Sequence, residues 1–310
     1  MLLYKDGKDE ETHYQVFVGN WESIIRHNEE ADYGIYPYRV AVNQWADMTT
    51  EEYLNTATGF RPDLKHTANN SDDVYRGSTG HVPDRYNWVL RGAVTSVKYQ
   101  RNCASSWAFS AIAAIESQLV ISTGKKVDLS EQNLIDCSEN QGTKGCSGGT
   151  PDRAYQYVIQ NGGLDSTASY PYKGLKNACH YKPDKSAVIT GYKSVQAGNE
   201  EALKDAVYNI GPISVAIDAS PFGFQFYSTG IFESTECSNS RDKLNHALTI
   251  TGYDVDGRRD IWFVKNSWDR TWGEAGYGVM SRNKGNQCGI ATSATYPTGV
   301  QANLNKMLVY

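Results

Sequence analysis

The chain opens on a polar stretch that carries one helical stripe. Val16, Phe17, Asn20, Ile24 and Asn28 recur at spacings of three and four, which predicts an amphipathic helix. Val40-Ala41-Val42 alternates like a short strand and leads to Trp45. Asp47-Met48-Thr49-Thr50-Glu51-Glu52 then reads as a cap followed by a helix with an acidic first turn, which suits the positive end of the helix dipole. Residues 61–81 hold much Asn, Asp, Ser and Gly and little apolar content. That is the composition of a linker or an exposed, cleavable segment.

The pattern changes from Ser106 to about Ser122. The run WAFSAIAAIESQLVIS is small and apolar on nearly every side, so its helix is expected to be buried on most faces. Ser130 caps a second short helix reaching Asp136, and a third follows Pro151 in DRAYQYVIQ. Beyond Ala187 the period shifts toward two, and SVAID, ALTITGYDV, IWFVKNS and GYGVMSR read as strands. The order is helical segment, linker, helical half, β half. There is no internal repeat, heptad run or low-complexity tract.

Composition narrows the function classes. A length of 310 residues and 40% hydrophobic content support real cores and exclude global disorder. A formal charge of −5 speaks against a nucleic-acid partner. No apolar run approaches the ~18 residues of a membrane span. The start, MLLYKDGKDEE, has no signal-peptide core. The even count of six cysteines fits a closed disulfide set with no spare thiol.

Chemistry concentrates at Gln100-Arg101-Asn102-Cys103-Ala104-Ser105-Ser106-Trp107, which opens the buried helix. Free N–H groups and the helix dipole favour negative charge on a nucleophile there. Asn245-His246-Ala247 begins a strand, and Lys265-Asn266-Ser267-Trp268 ends one. A nucleophile, a His base and an Asn orienting the His would form a triad from three distant segments. Ser106 could alternatively be no more than the cap of its helix. His13, His27, His66, His81 and His180 read as surface residues, and no spacing suggests a metal or another cofactor.

These motifs resemble the papain-family cysteine peptidases of the cathepsin L type. The family signature is Cys-Gly-Ser/Ala-Cys-Trp/Tyr with His and Asn about 130–150 residues downstream. Here Cys103-Ala104-Ser105-Ser106-Trp107 is followed by His246 and Asn266 roughly 140 and 160 residues beyond Ser106. Further matches are Glu131–Cys137, Gly145-Cys146-Ser147-Gly148-Gly149, Tyr170-Pro171-Tyr172, Gly211–Ala216 and Cys288-Gly289-Ile290-Ala291. The resemblance covers roughly 82–297. In the N-terminal segment, Glu10, Phe17, Asn20, Ile24 and Asn28 resemble the family's inhibitory propeptide helix, with Tyr14 where Arg is expected. Asn43–Thr49 resembles the propeptide motif that follows.

The resemblance implies an α+β, papain-like two-domain fold: a helical domain plus a β-barrel-like domain, with an N-terminal helical propeptide. The implied divisions are a propeptide at 1–60 with a truncated start, a linker with the processing site at 61–81, and a peptidase unit at 82–300. Within that unit the helical half is about 92–193, and the β half is about 194–300 plus 82–91. A tail, 301–310, runs past the usual family end. The implied triad is Ser106, His246 and Asn266, with Gln100 and the Ser106 N–H as oxyanion donors and Trp268 shielding the His–Asn bond. Gly148 and Gly149 would pair with an extended peptide or with the chain's own propeptide. Thr150, Pro151, Ala216 and Leu244 would lie near the pocket for the second residue upstream of the cleavage point. Asp269 stands where the family usually has Gly, which bears on the local turn.

By the same resemblance the cysteines pair as Cys103–Cys146, Cys137–Cys179 and Cys237–Cys288. Three bridges imply an oxidising compartment, lysosomal or extracellular, and a natural N-terminus missing from this chain. Asn69-Asn70-Ser71 is a glycosylation candidate at Asn69. The departure with most consequence is Ser106, where the family places its catalytic cysteine. A cysteine beside His at a helix start reaches a pKa of ~3–4, whereas a hydroxyl should rest neutral, hydrogen-bonded to a neutral His246. Peptide hydrolysis by a Ser106-His246-Asn266 triad is therefore expected to be weak or lost, and three further readings of Ser106 stand beside it. Silicateins, sponge relatives of cathepsin L, use Ser and His in silica condensation, and Leu244-Asn245-His246-Ala247 resembles them, which would make silica a partner. Testins, secreted homologues regarded as inactive, are resembled by Ser106 followed by Trp107, which would leave a silent peptide- or matrix-binding protein. A laboratory Cys→Ser exchange that freezes a zymogen is the third.

Overall fold

A computed structural model describes residues 7–62, 74–181 and 185–302. The linker core, including Asn69 and His66, and most of the C-terminal tail lie outside the described residues.

The first helix, α1 (Gly7–Asp32), lies along the β half, and its stripe faces inward. Ile24 is buried, and the side-chain amides of Asn20 and Asn28 grip backbone. Asn20 donates to Ala46 O (2.9 Å), while Asn28 donates to Val40 O (2.9 Å) and accepts from Val40 N (3.1 Å). Two details differ from the sequence reading. Tyr14 is 58% exposed, and the neighbouring His13 takes the inward place, bonded to Asp47 O at 2.6 Å. His27 is no surface residue: it is 7% exposed and stacks on Tyr36 with ring centroids 4.2 Å apart.

Strand β1 (Tyr38–Val40) pairs antiparallel with a strand of the β half. Helix α2 (Thr50–Thr56) starts with a capping box in which Thr49 and Glu52 satisfy each other's backbone N–H. Trp45, Met48, Tyr53 and Ala57 of this region join one apolar cluster with the barrel residues Phe224, Tyr227, Trp268 and Trp272. The N-terminal segment therefore shares a hydrophobic core with the β half.

Helix α3 (Ser106–Thr123) is the seam of the molecule. Its small residues let both halves approach closely. On one side it packs with α4 (Glu131–Cys137) and α5 (Pro151–Asn161). Ser130 caps α4, its hydroxyl accepting from Asn133 N. On the other side α3 meets the sheet, where Ser110 Oγ donates to Leu248 O at 2.6 Å.

The main sheet contains β2 (Val74–Tyr75), β3 (Tyr86–Asn87), β5 (Gly191–Val195), β6 (Ile213–Ile217), β7 (Tyr227–Phe232), β8 (His246–Asp256), β9 (Arg259–Lys265), β10 (Tyr277–Ser281) and β11 (Ala294–Thr298), together with β1. A short β4 (Ala187–Val188) pairs with β12 (Gln301–Ala302). The main order is β1-β7-β10-β9-β8-β6-β11-β5-β2, with β3 joined to β8. Between β5 and β6 lies α6 (Glu200–Asn209), and α7 (Phe222–Gln225) precedes β7.

The polar run 61–81 is not wholly linker. Arg61 is half-buried at the groove, and Val74–Tyr75 is a strand of the main sheet. Disulfides join Cys103 to Cys146, Cys137 to Cys179 and Cys237 to Cys288.

Candidate active site

Ser106 is the first residue of α3, and the cap position belongs to Ser105. Ser106 is fully buried, and its hydroxyl accepts the Ala247 backbone N–H at 3.1 Å. The reading of Ser106 as a helix cap fails on this geometry, and so does the expected hydrogen bond to His246.

His246 begins β8, and Asn266 follows the end of β9. Because β8 and β9 are antiparallel neighbours, the two side chains meet: His246 Nε2 and Asn266 Oδ1 are 2.9 Å apart. Asn266 Oδ1 also accepts the Ser267 N–H at 2.8 Å, which fixes the amide orientation. An acceptor facing Nε2 requires the proton on Nε2. The neutral imidazole then carries its lone pair on Nδ1, which is buried without a hydrogen-bond partner. Burial pushes His246 down to about 3; the Asn266 bond opposes this, and the Arg61 guanidinium adds to it. Trp268 covers the pair, its ring 4.5 Å from the imidazole centroid and its indole N–H held by Ala57 O at 2.8 Å.

Gln100 is aimed by its neighbours. Its Oε1 accepts from Ser267 Oγ (2.7 Å), which turns Nε2 toward Cys103 O (2.9 Å) and Thr58 O (3.1 Å). The carbonyl on this donor thus comes from the N-terminal segment. That segment continues through the groove. The N–H groups of Gly59 and Phe60 donate to Asn245 O at 2.9 and 2.8 Å. Gly149 N donates to Gly59 O, and Arg61 N to Gly149 O, both at 3.0 Å, so residues 59–61 run parallel to Gly148-Gly149. A Cβ on Gly59 would lie 2.4 Å from Ala104 O, so only glycine passes here. Phe60 is buried with Ala216, Leu244 and Ala247 as one apolar pocket. Thr150 and Pro151 follow Gly149 in sequence, at the N-cap position and the start of α5, and are not part of that cluster. Asp269 keeps the turn after Trp268 by taking φ +62°, the left-handed region Asp tolerates better than most residues.

The sequence reading missed a buried charge cluster beneath the site. Lys98 binds Glu116 and Glu131 at 2.8 Å each and Asp128 at 2.6 Å. Burial opposes the Lys98 charge, yet the carboxylates of Glu131, Glu116 and Asp128 outweigh it and hold the ammonium above the ordinary lysine range. Lys265, next to Asn266, donates to Thr95 Oγ1 at 3.2 Å, and burial pushes it down to about 8. A cavity of about 20 Å³, room for one water, is lined by Lys98, Glu116, Glu131, Lys265 and Asn266. Single charged residues in apolar runs were its only sequence signal. Among the described residues no group of side chains is arranged to hold a metal ion, and no helix is long and apolar enough to cross a membrane.

A helical half and a β half bring an Asn-oriented His and an amide donor together at their seam, covered by the chain's own N-terminal segment. Residues 82–298 match the papain family cysteine proteases, and residues 2–53 match the cathepsin propeptide inhibitor domain. The chain is 42% identical to a cathepsin L-like peptidase of Aedes aegypti, over 95% of this chain and 88% of that protein. It is 43% identical to cathepsin K of Mus musculus, again over 95% and 88%. Its structure resembles that of digestive procathepsin L 3 from Tenebrio molitor, with TM-score 0.87, 38% identity, and coverage of 96% and 94%. The chain belongs to the papain family of cysteine proteases, is cathepsin L-like, and carries an inhibitor-type propeptide.

Proposed function

We propose that this chain is a cathepsin L-like proform with an intact groove whose nucleophile is Ser106, so that peptide hydrolysis is far weaker than a thiolate would give. The observation that carries this reading is a pairing: all six cysteines are in disulfides, while Ser106 opens the helix that faces His246. A helix N-terminus and a neighbouring imidazole can hold a thiolate at rest. A hydroxyl needs its proton removed during attack, and the resulting imidazolium needs a counter-charge. Asn266 can orient His246 but supplies no charge. Loss of the Asp in a serine triad costs ~10⁴ in turnover, and this site begins without one.

Substrates in this reading are extended peptides. Gly148 and Gly149 offer the pairing edge, and the pocket of Ala216, Leu244 and Ala247 selects a bulky apolar side chain, as Phe60 illustrates. Residues 1–60 are the inhibitory propeptide, and 82–300 the peptidase unit. Three disulfides suit the secretory pathway, with a lysosomal or extracellular destination.

A second reading, a catalytically silent peptide-binding homologue, is favoured by the Ser106 hydroxyl resting on the Ala247 N–H. A fluorophosphonate probe on the processed protein separates the two. Slow labelling of Ser106 that disappears in His246→Ala supports the serine nucleophile. Absence of labelling overturns it in favour of the silent homologue. Silica condensation abolished by the same His246→Ala would move the assignment to a silicatein-like activity.

A further inference from the structure

Gln100 is held at its backbone as well as at its side chain. The Tyr172 hydroxyl, from the loop that carries Tyr170-Pro171, donates to Gln100 O at 2.6 Å. The same hydroxyl lies 3.2 Å from Oγ of Ser105, the cap residue of α3. Ser105 Oγ in turn donates to Cys103 O at 3.1 Å, the carbonyl that also accepts from Gln100 Nε2 at 2.9 Å. These contacts close a ring from the Gln100 backbone through Tyr172, Ser105 and Cys103 back to the Gln100 side chain. The Tyr172 ring is half-buried against the helical core and meets Phe109 of α3 edge-on, with centroids 5.1 Å apart.

The ring closes on a strained peptide. The carbonyl that Tyr172 holds belongs to the peptide bond between Gln100 and Arg101, and Arg101 has φ +54°, in the left-handed region that disfavours an arginine. Such a conformation persists where its neighbours over-determine it. The Gln100 N–H is pinned as well, donating to Ser267 O at 2.9 Å. Burial pushes the Tyr172 phenol up, against the pull of Ser105 and Arg101, so it stays a proton donor at neutral pH. Ser106 follows Ser105, and the first N–H groups of a helix have no partner within it. Tyr172 therefore ties together the two chain positions that carry the side-chain donor, Gln100, and the backbone donor, Ser106.

We propose that Tyr172 is a positioning residue for the oxyanion hole: its hydroxyl sets the place of the Gln100 amide relative to the Ser106 N–H. It acts through Gln100 and Ser105 rather than on the substrate, and its role rests on the reading of the groove as a peptidase site. Donors aimed at a developing oxyanion act only if they are in place before the reaction, and a misplacement of about 1 Å costs about a hundredfold in rate. A loosened Gln100 therefore slows turnover without weakening peptide binding, which rests on the Gly149 edge and the Phe60 pocket.

The test compares Tyr172→Phe with Tyr157→Phe, both in the Ser106→Cys chain cut in its linker and assayed on an extended peptide. Tyr157 is a matched control: its hydroxyl accepts from Asn133 Nδ2 at 3.1 Å in the same half and has no part in the ring. Tyr172→Phe should lower kcat at least about tenfold with KM within about twofold, while Tyr157→Phe leaves both unchanged. Unchanged kcat in Tyr172→Phe, a change in KM alone, or an equal fall in both variants overturns the proposal. If the Ser106→Cys chain shows no turnover, the peptidase reading itself fails, and hydrogen exchange of the uncut chain decides the positioning role. There Tyr172→Phe should speed exchange of the Gln100 N–H at least about tenfold while Ile250 in β8 stays protected. Unchanged exchange at Gln100 contradicts it.

Discussion

The amide of Gln100 donates to the carbonyl oxygen of Thr58 at 3.1 Å. The group proposed as an oxyanion donor therefore holds a peptide carbonyl of the chain's own prosegment. Gly59 and Phe60 hang from Asn245 O, and the Arg61 guanidinium folds back onto Leu54 O, Phe60 O and Asn245 O. The prosegment is held in the groove by backbone pairing and the Arg61 guanidinium, and a single side chain, Phe60, fills the apolar pocket.

That arrangement makes Gly59 the tightest point of the prosegment. A methyl group there collides with the Ala104 carbonyl at 2.4 Å. Overpacking of this kind costs about 1–3 kcal/mol, or about five- to 150-fold in groove occupancy. Gly59→Ala should speed hydrogen exchange at Gly149, whose N–H donates to Gly59 O, by that factor. Unaltered exchange would show that the prosegment is held mainly elsewhere.

Two histidines give the prosegment opposite responses to pH. His13 is raised, chiefly by its bond to Asp47 O, with Glu52, Asp47 and Asp9 nearby. Its contribution to docking is complete below the unfolded value of ~6.5 and is lost as pH rises through the raised value. His27 is lowered by burial between Tyr36 and Tyr38, against the pull of Tyr38 O, Glu30 and Glu236. It must be neutral to dock, so docking weakens as pH falls below ~6.5. His27→Phe should make prosegment release less sensitive to acid, and His13→Gln less sensitive to alkali. Release rates between pH 4 and 8, followed by tryptophan fluorescence, check both signs; parallel curves for wild type and variants would refute them.

The charge cluster under the site sets a stability expectation. Glu116 is fully buried and accepts from Lys98, Thr95 and Leu129 N. Glu116→Ala removes one of the three carboxylates on buried Lys98 and leaves the Thr95 hydroxyl and the Leu129 N–H without their acceptor, and removing one partner from a buried charge pair costs about 3–5 kcal/mol. Urea unfolding measures it. A loss under about 1 kcal/mol would place the cluster closer to a solvated surface pair.

Much of this was legible in the sequence because the relevant patterns are local. The apolar run after Ser106 could only be a buried helix, and the alternating runs after Ala187 could only be strands. The positions of Gln100, His246, Asn266 and Trp268 followed from motif order, which the fold converts into proximity. What escaped depends on tertiary contacts, some of them between near neighbours in the chain. His27 is polar, yet two tyrosines eleven residues or fewer away enclose it. The inward place of His13 over Tyr14 is a one-residue difference on a helix face, about 100° of rotation. Val74–Ser78 has a linker's composition, and only the Asp205 carboxylate and the edge of β5 make it structure. Ser106 was expected to hydrogen-bond His246, but no such bond forms and its hydroxyl accepts the Ala247 N–H instead.

In the proposed function the groove is complete and only the nucleophile is changed. The direct measurement is turnover of a peptide substrate with a bulky apolar residue at the Phe60 pocket, comparing wild type with Ser106→Cys after removal of the prosegment. Wild type should be slower by about four orders of magnitude or more, in line with a serine triad lacking its carboxylate, and Ser106→Cys should be active and inhibited by thiol reagents. An inactive Ser106→Cys protein that still binds the peptide, or a wild type as fast as the cysteine form, would contradict the account.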